Sequence, residues 1–171
     1  MSKPDDSPAF ALTPSPGERS GAFPRRLALT PGARLALLPP PRSPELPRRV
    51  LVVDDDAGVR GLIAQVIDRT GFPCVVRTAS DGMTGGKQIP AFQPHLIILD
   101  VNMPVVDGGR LCQWVKADGR FPNTKILMMT GNRHDKRLDM ALQAGADGWL
   151  AKPFVVEEFV FKVADLLACV A

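Results

Sequence analysis

The sequence predicts an α/β fold, a doubly wound five-stranded parallel sheet preceded by a disordered tail. Three observations predict it. Short apolar runs alternate five times with segments of helical spacing from Val50 onward. Most of these runs are continuous, as in strands covered on both faces. Polar chemistry appears where the runs stop, at Val52-Val53-Asp54-Asp55, Leu99-Asp100, Met129-Thr130 and Ala151-Lys152-Pro153.

The strands read as Val50–Val53, Cys74–Ala79, Leu96–Leu99, Lys125–Met129 and Gly148–Leu150. The first helix places Val59, Leu62, Ile63, Val66 and Ile67 on one face, Asp56 caps it, and Gly71 ends it. Asp81 caps the second, although Gly85 and Gly86 each cost about 0.8–1 kcal/mol there against Ala. Asp107 caps the third, within which Trp114 is a packing residue. The fourth runs from about Arg133 to Ala144 and stops at Gly145. The fifth carries Val156, Phe159, Val160, Val163, Leu166, Leu167 and Val170. Five βα units of this size suit the flavodoxin-like strand order 2-1-3-4-5, whose ligands bind beyond the carboxyl ends of the strands.

Residues 1–47 are of another kind and are expected to be a disordered Pro/Arg-rich extension, with a folded domain over 48–171. Eleven of the 17 prolines fall in the extension. Proline withholds backbone donors and fixes φ, so neither helix nor ladder propagates. Residues 1–49 carry +4 and residues 50–171 carry −1, so the basic balance belongs to the tail. Arg25-Arg26 and Arg48-Arg49 could touch an acidic partner or nucleic acid; the competing readings are a solvated tail or a misplaced start. Cys74, Cys112 and Cys169 are odd in number and widely spaced, which reads as reduced thiols in a cytoplasmic protein. No run is long enough to span a membrane.

All four polar clusters fall on one edge of such a sheet. Asp54, Asp55 and Asp100 there form an acidic site that would repel itself without a cation. Mg²⁺, or Mn²⁺, takes oxygen ligands; Asp55, Asp100 and the Asn102 carbonyl could supply them, and Asp54 could hold a metal-bound water. Asp100 is the candidate nucleophile and phosphoacceptor, because a carboxylate can form an acyl phosphate. Lys152 would pair with phosphoryl charge and Thr130 would hydrogen-bond a phosphoryl oxygen. Pro153 makes a cis bond accessible. His95 and His134 read as surface or strand-edge residues, since no second metal-binding residue pairs with them.

These residues, with Asp107-Gly108 and Ala144-Gly145-Ala146-Asp147-Gly148-Trp149-Leu150-Ala151-Lys152-Pro153-Phe154, resemble the response-regulator receiver domain, the CheY-like fold of two-component signalling. The match covers about residues 49–171. The resemblance implies that Asp100 accepts phosphate from a sensor histidine kinase or a histidine phosphotransfer protein. It implies Mg²⁺ held by Asp54, Asp55, Asp100 and the Asn102 carbonyl, with Thr130 and Lys152 sensing the phosphoryl group. It makes Trp149 the switch aromatic, where the family more often has Tyr or Phe. It links Asn102 and Asn132 to the dephosphorylation rate, and two amides there suggest a short phosphoryl lifetime.

The sequence stops with the fifth helix, so the expectation is a stand-alone receiver, whether motor-binding, phosphorelay intermediate or phosphate sink, monomeric or weakly dimeric on phosphorylation. Its downstream protein target would meet the helix 4–strand 5–helix 5 face, around Arg133, Lys136, Arg137, Trp149 and Phe154. Membrane insertion is not expected, and nucleic acid would engage only the tail. The alternatives are a receiver-fold module that is never phosphorylated and a binder that works through the basic arm. Turnover of an external substrate is not expected, only self-catalysed phosphorylation and dephosphorylation.

Overall fold

A computed structural model describes residues 46–168 of the chain. Apart from Leu46 and Pro47, the expected extension lies outside the described residues, as do Cys169 and Val170. In order, the elements are β1 (Arg48–Val53), α1 (Ala57–Arg69), β2 (Cys74–Ala79), α2 (Gly82–Phe92) and β3 (Leu96–Asp100). They continue with α3 (Gly108–Ala117), β4 (Lys125–Thr130), α4 (Lys136–Gln143), β5 (Gly148–Ala151) and α5 (Val156–Ala168). The sheet is parallel, in the order β2-β1-β3-β4-β5, as the sequence predicts.

Strand alternation divides the core in two. Leu51, Val53, Ile97, Leu99, Ile126 and Met128 point to one face, where Ile89, Phe92, Leu111, Val115 and Leu138 of α2, α3 and α4 cover them. Val50, Val52, Leu96, Ile98, Leu127 and Met129 point to the other, under Ile63 and Ile67 of α1 and Phe159 and Val163 of α5. Burying each of these side chains contributes about 1.5–3 kcal/mol. β2 departs from the continuous pattern. It is one of the two edge strands, Val75, Arg77 and Thr78 are exposed, and Arg77 lies over the Phe92 ring at 4.5 Å.

α2 forms despite its glycines. Asp81 accepts the Thr84 N–H at 2.7 Å and closes the first turn. A Cβ at Gly85 would stand 3.0 Å from both Val53 methyls, so this glycine lets α2 lie close on β1. α4 begins later than expected, and Arg133 and His134 belong to the loop before it. β4 is followed there by a polar turn: the Asn132 side chain accepts the His134 N–H, and Asp135 takes the cap by accepting the Arg137 N–H. Such side chains compete with helical backbone bonding, which delays the helix.

Polar contacts fasten the amino edge of the sheet. Asp147 accepts from Lys116 at 2.7 Å, the Ile126 N–H at 2.9 Å and Lys125 at 3.1 Å. Burial alone would raise its pKa, but these donors hold it below the usual carboxylate value. His95 Nδ1 accepts the Arg49 N–H at 2.9 Å, which joins the starts of β1 and β3. Burial, then the charges of Arg49 and Arg48, lower the His95 pKa. The folded state therefore binds fewer protons there than the unfolded chain. The stabilisation is present above the unfolded imidazole value of about 6.5 and is lost as pH falls toward the folded value. Urea midpoints measured from pH 7.5 to 5 should fall more steeply for the wild type than for His95→Gln.

Candidate functional site

The carboxyl ends of β1, β3, β4 and β5 meet at one place, and each strand ends in a buried or half-buried polar residue. Asp54 follows β1, Asp100 closes β3, Thr130 closes β4, and Lys152 follows β5. Lys152 Nζ stands 2.6 Å from Asp54 Oδ2 and 2.6 Å from Asp100 Oδ1. One ammonium thus serves two buried carboxylates. The Lys152–Pro153 peptide is cis, as expected.

The remaining acceptor atoms are occupied locally. Asp100 Oδ2 accepts the Asn102 N–H at 2.8 Å, and Asp54 Oδ1 accepts the Asp56 N–H at 2.9 Å. Among the described residues, no buried side-chain nitrogen or oxygen lacks a partner. Burial raises the Asp100 pKa, against Lys152, and the Asp54 charge raises it further. Burial would depress Lys152, but the two carboxylates raise it, which keeps the ammonium charged.

Three expected participants make their own local arrangements. Asp55 is exposed, and among the described residues no group of three His, Cys, Asp or Glu is gathered as a metal-holding set. The Thr130 hydroxyl closes its own turn, donating to the Asn132 carbonyl at 2.9 Å and accepting the Asn132 N–H at 3.0 Å. Lys152 is bound by the acids themselves, before any phosphoryl group is considered. Trp149 is half-buried, pairs with Met128 in the sheet, and packs on the α2–α3–α4 side. Asn102 is exposed in the loop after β3, where its backbone N–H donates to Asp100 Oδ2. Asn132 lies exposed in the loop before α4. His134 is exposed and His95 bonds backbone, as anticipated for both.

Sequence reasoning left two contributors without their roles: Arg60 went unnamed, and Gly108 was quoted only as part of the resemblance. Arg60 Nη1 donates to the Asp54 carbonyl at 2.7 Å and the Asp55 carbonyl at 3.1 Å, clasping the acid pair from the first turn of α1. Its signal was a basic residue at the start of the helix that follows the acids. Gly108 is the second. A Cβ there would lie 2.0 Å from the Asp100 carbonyl, so only glycine lets α3 start against the strand end. Between them, Val105 holds φ +66° and is 81 % exposed. A β-branched residue in that region costs about 1–2 kcal/mol.

The response regulator receiver domain model matches residues 50–164. The chain is 35 % identical over 119 residues to the DNA-binding dual master transcriptional regulator RpaA of Synechocystis, covering 70 % of this chain and 48 % of that protein. It is 34 % identical over 120 residues to the transcriptional regulatory protein GltR of Pseudomonas aeruginosa, covering 70 % and 49 %. The chain spans about half the length of these curated relatives. Among solved structures, the chemotaxis response regulator CheY4 of Vibrio cholerae superposes with a TM-score of 0.64 at 30 % identity, covering 70 % of this chain and 98 % of that one. A CheY-like receiver domain protein from Methanospirillum hungatei does so at 0.64 and 27 %, covering 71 % and 94 %.

The shared ammonium has opposite consequences for its neighbours. Lys152→Ala would leave two buried carboxylates with no cation and should cost about 3 kcal/mol at neutral pH. Asp100→Asn would leave a balanced Asp54–Lys152 pair and should raise the metal-free melting temperature by about 2–6 °C. Calorimetry of the two variants in EDTA checks both directions.

Proposed function

Because the chain belongs to the response regulator receiver domain family, we propose that it is a phosphoryl-accepting signal carrier with Asp100 as the acceptor. The unit would comprise residues 48–171 and work in the cytoplasm. The observation that carries this reading is Lys152 Nζ at 2.6 Å from both Asp54 and Asp100, at the carboxyl edge of the sheet. Among the described residues no helix is long and apolar enough to cross a membrane.

The donor set suits a hard divalent cation. It is all oxygen, and its two gathered carboxylates share only one positive charge. Asp54, Asp55, Asp100 and the Asn102 carbonyl would hold Mg²⁺ or Mn²⁺, which would supply charge neutralisation for phosphoryl oxygens. Asp55 must join the others for this, since it stands exposed.

The chain's own residues account for the rest. The Asp100 carboxylate forms the new O–P bond, and the donor's N–P bond breaks when the donor is a phosphohistidine of a histidine kinase or phosphotransfer protein. Lys152 then exchanges Asp100 Oδ1 for a phosphoryl oxygen. Thr130 gives up its Asn132 bond to donate to another. Asn132 is thereby released from its turn, and Trp149, half-buried beside β4, is placed to respond. The α4–β5–α5 face, with Arg133, Lys136, Arg137 and Phe154, would then present a changed surface to a downstream protein. A receiver that signals without phosphorylation is the competing reading. The assembled Asp54–Lys152–Asp100 cluster supports the phosphorylated one.

Intact mass after incubation with Mg²⁺ and acetyl phosphate tests the proposal. The wild type should gain one phosphoryl group and Asp100→Ala none. The amides of Asn102 and Asn132 are suited to orient an attacking water, so the adduct should decay quickly. A phosphoprotein that lasts many hours in Mg²⁺ would refute that part.

A further inference from the structure

A groove of about 300 Å³ opens between α2 and α3, on the opposite side of the sheet from α1 and α5. Met83, Val106, Leu111 and Trp114 supply its apolar surface, and Lys87 and Arg110 supply its charge. No acidic residue lines it. Met83 and Trp114 are 49 % and 41 % exposed, and the protruding Val105 adjoins Val106. Trp114 also meets Phe121, with ring centroids 6.0 Å apart, so its indole is braced.

Gly86 gives the groove its depth. It lies inside α2, where glycine costs about 1 kcal/mol against Ala. A Cβ there would meet only Leu111 Cδ1, at 3.5 Å, an ordinary contact. Packing does not demand this glycine. Its effect is to leave space beside Leu111 that a side chain would occupy.

We propose that the α2–α3 groove docks an acidic peptide segment of a partner protein, with an apolar anchor set beside Gly86 and carboxylates on Lys87 and Arg110. Charge selects this occupant. Two cations and no anion line the groove. Asp107 lies beside it, 3.6 Å from Arg110 Nε, but its side chain is 20 % exposed against 73 % for Arg110. Residues 1–47 of the chain carry +2, so its own tail is not the complementary occupant. The apolar floor favours a peptide over a nucleic acid, whose phosphates need no such anchor. The inference does not depend on Asp100 being an acceptor.

The probe is a pooled library of ten-residue peptides, glutamates flanking every apolar pair, with a lysine-flanked library as control. It is titrated into the full ¹⁵N-labelled chain. The expected result is saturable amide shifts confined to Gly86, Arg110 and neighbouring residues, together with the Trp114 indole, from the acidic library alone. Affinity should fall at least about fivefold between 50 and 300 mM salt. Gly86→Leu should fill the space, and the double variant Lys87→Glu/Arg110→Glu should reverse the rim; each should weaken binding at least about tenfold while circular dichroism stays unchanged. The double variant keeps the test decisive if Gly86→Leu misfolds. Absent or scattered shifts, equal response to the lysine library, tighter binding of single-stranded DNA, groove shifts on deleting residues 1–45, or a dimer abolished by the double variant would each overturn the proposal.

Discussion

The carboxyl edge of this protein depends on one ammonium group. Asp54 and Asp100 come from strands that lie side by side, so the fold forces two buried carboxylates together. Two such charges in a poorly solvated place repel strongly, and only a shared cation makes the arrangement tolerable. Lys152 provides it from β5, two strands away from β3, and so joins the two ends of the segment that carries the core. Balance is incomplete, since one positive charge meets two negative ones. That residue of negative charge makes the edge receptive to cations.

The two edges of the sheet are built on different principles. At the amino edge, Asp147 is surrounded by three donors, and His95 is sewn into the backbone between strands. At the carboxyl edge Asp100 and Thr130 close their strands, Asp54 and Lys152 sit just beyond theirs, and the loop after β3 carries a strained valine. The close approach of Gly108 to Asp100 sets that loop's path. The α2–α3 groove opens beside the same loop, so its shape follows from the same backbone.

Much of this was legible in the sequence, for a physical reason. Strand runs such as Leu96–Leu99 must be apolar on both sides when helices cover both faces, and that constraint writes itself into composition. The strand order follows from the βα rhythm, and the residues at strand ends follow from the order. Asp56, Asp81 and Asp107 announced their helices because a cap needs a short acceptor at a fixed offset. What stayed hidden were choices among competing local partners. Asn132 and Asp135 postpone α4 beyond Arg133, Thr130 bonds its own turn, and Asp55 faces outward. Arg60 could have reached solvent as readily as the Asp54 carbonyl. Trp114, read as packing, divides itself between Phe121 and the groove. Each of these is settled by side-chain geometry that spacing does not encode.

The completeness of the resting hydrogen bonding has a bearing on how the site can change. Every buried polar side-chain atom among the described residues already has a partner. The Thr130 hydroxyl and the Lys152 ammonium already hold bonds, so a rearrangement through them begins by exchanging partners. Its free energy is the difference between the bonds made and the bonds given up, not the full strength of the new ones.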